Sequence, residues 1–168
     1  MKINEKYIDE YLEITRDLLQ NENVESMKTY NHHGKINTHF HTVYVSYCVL
    51  VLCDKLKVNN KNDIVRAALL HDFYLYDWHI EKHDEMHAWY HPKAAVENIK
   101  NIFGDISDMQ RDLILRHMFP LSIQPPNSIG GWLLTLCDKH CANEDIFGVS
   151  KRFIPVYDEI NKRIDSND

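Results

Sequence analysis

The sequence predicts an all-α fold, and three observations predict it. Residues suited to one buried face recur at helical spacing, as Ile8, Tyr11, Leu12, Thr15, Leu18 and Leu19 do near the start. The 5 glycines and 5 prolines fall at punctuation points between such segments. No two alternating segments are joined by a hairpin turn, so no strand pair is expected. At 168 residues the chain is long enough for one domain with a real core and short for two. We therefore read residues 1–168 as a single helical bundle.

The elements follow in order. A first helix runs from about Asn4 to Gln20. The polar stretch NHHGKINTH breaks the pattern at Gly34, and Thr38 is expected to cap the next helix, from about His39 to Lys57. The β-branched middle of that segment leaves a strand open. Its length and the lack of a hairpin partner favour a buried helix. Asn62 or Asp63 is expected to cap the helix carrying IVRAALLHDF, and a loop covers Tyr74 to Tyr90. Pro92 suits the first turn of a helix reaching Phe103, which Gly104 ends. Ser107 starts DMQRDLILRHM, which stops before Pro120. The turn SIQPPNS leads to IGGWLLTLCDKHCA, apolar on almost every face. A last helix spans about Val149 to Ile164, with Pro155 a candidate kink.

Composition narrows the function classes. Hydrophobic residues make up 44 % and charged residues 26 %, an ordinary globular balance. The net charge of −6 argues against a general nucleic-acid surface but leaves room for a small anionic substrate in a local field of opposite sign. MKINEKYIDEYLEI lacks the apolar core of a signal peptide, and the apolar run VYVSYCVLVLC is too short to span a bilayer. A cytoplasmic location without membrane association is the expectation. Cys48, Cys53, Cys137 and Cys141 form no CxxC and have apolar neighbours, so buried free thiols are expected. Cys137 and Cys141, one turn apart, leave a soft-metal pair as the alternative.

The chemistry gathers around titratable residues at the ends of apolar runs. His71-Asp72 closes ALLHD, and an unpaired buried carboxylate is costly. Successive helical residues differ by about 100° in direction and about 1.5 Å in height, so both side chains can lean toward one point off the helix end. Asp138, inside WLLTLCDKH, is a second charge on an apolar stripe. His41 lies near the start of the long apolar helix and completes a set of two histidines and two aspartates. One divalent cation could serve both carboxylates. His91, just before Pro92, and His117, at the end of LILRHM, sit at expected element termini. The bland alternative for each is a hydrogen-bonded core residue.

The order His…His-Asp…His…His…Asp resembles the HD superfamily of metal-dependent phosphohydrolases. Here it reads HTVYVS, ALLHDF, HPKAAVENI, LRHMFP and TLCDKHCA, within residues of about 38–143. The resemblance implies a helical bundle with a central metal site. Carried over by position, His41, His71, Asp72 and Asp138 would bind a first metal. His91 and His117 resemble the subset with two metals, in which Asp72 would bridge and the two histidines would hold the second ion. Iron, manganese, nickel, cobalt and zinc all suit such donors. The Gly-Lys that follows the HD pair in many HD phosphodiesterases is absent from HDFYLYDWH, as is the GYP motif of cyclic-dinucleotide phosphodiesterases. Substrate identity is therefore not carried over.

The implied reaction is hydrolysis of a small phosphate ester, with a nucleotide among the candidates, by attack of metal-bound hydroxide. Lys139 is the preferred cation for phosphate charge because it adjoins Asp138; Arg116, Lys93 and Lys35 read as lesser candidates. Among the remaining histidines, His32, His33, His39, His79, His83 and His87 read mostly as solvated loop residues. His33, in the HHG turn, and His79, after Trp78, are the picks for substrate contact or ligand support alongside Asp72 and Lys139. Phe73, Tyr74, Tyr76, Trp78, Trp89 and Phe119 flank the site as packing residues, a few of which could stack on a base. Two other readings stay open: an HD-fold di-iron oxygenase cleaving a C–C or C–P bond, and a non-catalytic metal-stabilised sensor. The expected partner is a small phosphorylated molecule. The oligomeric state is open, a homodimer being the guess from aromatic content.

Overall fold

A computed structural model describes residues 2–32, 34, 36–81 and 84–166. Among them lie eight α-helices: α1 (Glu5–Leu19), α2 (Glu22–Ser26), α3 (Thr38–Leu56), α4 (Lys61–Leu70), α5 (His87–Phe103), α6 (Asp108–Arg116), α7 (Ile129–Ile146) and α8 (Ile154–Asp165). Short 3₁₀ turns cover Met27–Thr29 and Ser150–Phe153. The described residues contain no strand, only an isolated bridge between Asn31 and Asn37. The all-α expectation holds.

Helix α3 is the axis of the bundle. His39 to Tyr47 are buried without a break, which explains the absence of a polar stripe in its sequence. It packs against α4 on one side and α7 on the other. Helix α1 turns Ile8, Tyr11, Leu12, Thr15, Leu18 and Leu19 inward, as their spacing predicts, and α8 lies against α1 and α3. Helix α6 packs on α4, α5 and α7. Helix α7 comes close to α4 at Gly130, where an added Cβ would stand 2.8 Å from Ile64 Cδ1. Some polar core groups pair across helices: Tyr11 and Ser46 share a hydroxyl bond of 2.7 Å, and Tyr44 donates to Glu144 at 2.6 Å. Cys53, Cys137 and Cys141 are buried free thiols as expected, and Cys48 is a partly exposed one.

Several boundaries differ from the sequence reading. Asn37, not Thr38, caps α3: its extended backbone lets the side chain accept from Phe40 N at 2.8 Å, while Thr38 is the first helical residue. Helix α4 starts at Lys61, ahead of both expected caps, because Asn60 turns the chain in a left-handed conformation (φ 58°) without a side-chain cap bond. Helix α5 begins at His87, so the expected loop is shorter and Pro92 sits in the second turn. There it withholds the N–H that Ala88 O would otherwise receive. Tertiary contacts pull that first turn into place: Trp89 Nε1 donates to Leu121 O at 2.9 Å and His87 stacks on Trp78. At the other end Pro155 lies in the first turn of α8, where its missing N–H costs nothing, so it starts the helix rather than kinking it. Helix α2 had no sequence signal long enough to read. Among the described residues no helix is long and apolar enough to cross a membrane.

Candidate metal centre

The helices bring six sequence-predicted residues to one point. His41 comes from the first turns of α3, His71 caps α4 with Asp72 beyond it, His91 comes from α5, His117 caps α6, and Asp138 comes from α7. All six are buried, none more than 5 % exposed. Directly after Asp72 the chain bends sharply. Leu75 adopts a left-handed conformation (φ 56°), strained for a branched side chain, and Asn98 of α5 clamps the bend by donating to Phe73 O at 3.0 Å and Tyr74 O at 2.9 Å.

The protonation pattern follows from what each outer nitrogen touches. His71 Nδ1 lies 2.7 Å from Ala68 O, His91 Nδ1 2.9 Å from His87 O, and His117 Nδ1 2.6 Å from Ile114 O. A carbonyl only accepts, so each Nδ1 carries the proton and each Nε2 of the neutral ring is a lone pair. His41 Nδ1 is 2.7 Å from the Asp145 carboxylate, which fixes the same tautomer. With all four rings neutral, four lone pairs point inward, at two carboxylates that are themselves acceptors.

Asp72 stands between two donor sets. Its Oδ2 faces His71 Nε2 at 3.5 Å, and its Oδ1 faces His91 Nε2 at 3.2 Å and His117 Nε2 at 3.6 Å. Asp138 Oδ1 lies 3.2 Å from His41 Nε2 and 3.7 Å from His71 Nε2. The Nε2 atoms of His91 and His117 are 2.9 Å apart, a contact between two acceptors when both rings are neutral. Buried His71 Nε2 and Asp72 Oδ1 have no hydrogen-bond partner. Acceptors aimed at one another and buried orphans are what a cation would satisfy, so the residues present fit divalent metal.

In the cation-free chain the two buried carboxylates draw on the surrounding imidazoles instead. Burial opposes charge on Asp72, yet His71, His32 and His91 hold its carboxyl well below the usual range. For Asp138 burial is likewise outweighed, by His41, His71 and Lys139. Burial, with the imidazoles of His71 and His91, pushes His117 well down and keeps it neutral. Burial would also lower His41, but the Asp138 and Asp145 carboxylates raise it to about 9, so without a metal a proton takes up part of that role.

The other candidates are spread more widely. Lys139 Nζ reaches Asp138 Oδ2 at 2.7 Å and lines a cavity of about 210 Å³ over Asp72, His91 and His117. His79 is exposed, beside Trp78, with its ring 3.2 Å from Asp77. His33, His83 and Lys35 lie outside the described residues. Arg116 pairs with Asp112 and Lys93 with Glu85, ordinary surface contacts. His39 is not a loop residue: it is buried in α3, 2.8 Å from Tyr157 OH, and burial lowers it to about 3. His87 and Trp78 line the cavity, whereas Phe73, Tyr74 and Tyr76 are buried packing. Trp89 lies on the outside of α5, and Phe119 packs on Trp132.

Two residues were missed. Asp145, which anchors His41, comes seven residues after Asp138 and so lies two turns along the same face of α7, a signal that was available. His32 is buried, with Nε2 3.1 Å from Asp72 Oδ2, and nothing in HHG told it apart from its neighbour.

Comparison with known proteins gives one family. A model of the HD domain matches residues 38–143. No curated protein and no solved structure matches the chain at a significant level.

Proposed function

This chain belongs to the HD-domain family, and from that premise we propose that it is a metal-dependent phosphohydrolase of small phosphate esters, with nucleotides among its candidate substrates. The superfamily is one of metal-dependent phosphohydrolases, and the proposal narrows it to this site. One observation carries the reading: four anchored imidazoles converge on two buried carboxylates, with Lys139 as a cationic side chain beside them.

Two cations suit the arrangement, one among His41, His71, Asp72 and Asp138, the other among His91, His117 and Asp72. Iron, manganese, nickel, cobalt and zinc are all compatible with such nitrogen and oxygen donors. When bound, the ions supply an activated water near neutral pH and a Lewis acid for phosphoryl oxygens. The chain does the rest. Asp72 offers one oxygen to each donor set. Asp145 keeps His41 in the tautomer with Nε2 free. Lys139, on the cavity wall, offers charge to a phosphoryl oxygen. The cavity of about 210 Å³ admits a phosphate with a small body, and Trp78, stacked on His87, lines its wall.

Metal analysis of the anaerobically purified protein, then phosphate release from p-nitrophenyl phosphate, bis-p-nitrophenyl phosphate and nucleotides, tests the reading. Metal-dependent turnover is expected. Iron with oxygen uptake on a polyol or phosphonate, and no phosphate release, would replace it with the oxygenase. Tight ligand binding without turnover would replace it with the sensor.

A further inference from the structure

We infer that His32 is a seventh side-chain ligand of the centre, completing the cation site on the His41 and Asp72 side. The inference rests on the metal reading above and goes beyond the six residues of the motif.

The chain takes trouble to place this ring. His32 lies outside the helices, on a segment pinned at both ends: His32 N donates to Ile36 O at 2.8 Å, and Thr38 N donates to Tyr30 O at 2.9 Å. Gly34 makes the turn in the left-handed region (φ 62°), where a side chain would be strained. The result lays the imidazole of His32 flat against that of His41, centroids 3.7 Å apart and planes 22° from parallel. The ring is only 7 % exposed and lines the same cavity as Asp72, His91 and His117.

Its position matches that of a donor. Nε2 is 3.1 Å from Asp72 Oδ2, the carboxylate oxygen on the His71 side. His32, His41 and Asp72 each offer an atom, all within 4.8 Å of one another. Bonds of about 2 Å from one ion span such a triangle after small side-chain adjustment. A surface histidine needs no such burial, and the rival to a ligand role is an Nε2–H that only steadies Asp72 Oδ2. With His32 included, the first ion has five protein side chains, leaving about one place for a water or a phosphoryl oxygen on a six-coordinate metal.

The test is cobalt(II) binding to the whole protein, read by its visible spectrum and by chelator competition. In His32→Ala the d–d bands should change in position and intensity, and the affinity for one ion should fall on the order of 10- to 100-fold or more. Added imidazole should restore both by filling the vacated space. His32→Gln keeps an amide able to donate to Asp72 Oδ2. If His32 only steadied that carboxylate, the Gln variant would keep the parent spectrum and affinity, and the inference would be wrong. Parent-like behaviour of a folded His32→Ala would overturn it equally. A parent chain that takes up no cobalt would overturn the metal reading itself, a different result from a parent that binds and a variant that matches it.

Discussion

Asp145 Oδ2 lies 2.7 Å from His41 Nδ1, and both side chains are wholly buried. The contact dictates which nitrogen of His41 faces the centre and makes that nitrogen more basic. Asp145→Leu removes the acceptor while keeping an apolar side chain of similar size. Metal affinity is expected to fall about 10- to 100-fold, and His41 loses its fixed orientation. Asp145→Asn is milder, since its amide oxygen still accepts from Nδ1. Chelator competition on both variants checks the order. Equal affinity in the parent and the Leu variant would remove Asp145 from the centre.

The position of Asp72 between two donor sets makes its loss different from that of any other member. In Asp72→Ala both ions are expected to be lost together and metal-dependent hydrolysis abolished. His91→Ala is expected to lose one ion and keep the other. Asp138→Ala should do the same on the opposite side. Metal per chain, measured by elemental analysis after gel filtration, separates these outcomes. Retention of a full metal complement in Asp72→Ala would show that its carboxylate does not serve both sets.

The sequence exposed the centre because charge at the end of an apolar helix has no cheap structural explanation. His71-Asp72 after ALL and Asp138 within WLLTLC both called for a partner, and the fold brings them together. The helices were legible for the same reason, through buried faces such as Ile8 to Leu19 of α1. What stayed hidden depends on tertiary contacts. Asn37 and Thr38 are both good caps, and the choice follows from where Tyr30 and Tyr74 hold the Thr38 hydroxyl. The first turn of α5 exists because Trp89 and His87 find partners far along the chain or across a loop. His32 and His33 are chemically identical, so only the turn around Gly34 gives His32 its inward place.

Acidity should set metal affinity through His41. Burial disfavours its charge, but the hydrogen bonds to Asp138 and Asp145 prevail and raise it from 6.5 to about 9. A group raised on folding stabilises the cation-free protein fully below 6.5, and that stabilisation is lost as pH rises through about 9. A metal needs the unprotonated Nε2, so affinity should move the other way, rising with pH and levelling off above about 9. At pH 7.5, cobalt(II) binding is expected to release about one proton per chain from this residue. Calorimetry in two buffers of different ionisation enthalpy measures it. Identical heats in the two buffers would mean that His41 is already neutral in the cation-free chain.

The scaffold that holds Asp138 has its own point of failure. Gly130 and Asp138 share α7, and at Gly130 that helix comes so close to α4 that an added Cβ would meet Ile64 Cδ1 at 2.8 Å and Cγ1 at 2.9 Å. Ile64 is 3 % exposed and has little room to withdraw. Gly130→Ala gains helix propensity, worth about 1 kcal/mol, but the overpacking costs about 1–3 kcal/mol, so a net loss of stability is expected. Since α4 ends in His71, pushing the two helices apart should also widen the gap between His71 and Asp138 and weaken metal binding. Ile64→Val removes the Cδ1 methyl and alone costs about 0.5–1.5 kcal/mol. Combined with Gly130→Ala it removes the 2.8 Å contact and leaves only the one to Cγ1, now a chain end with more room to shift, so the double variant should be more stable than the sum of the single losses. Denaturant melts of the four proteins measure that coupling, and strictly additive losses would show that α7 approaches α4 less closely than these distances state.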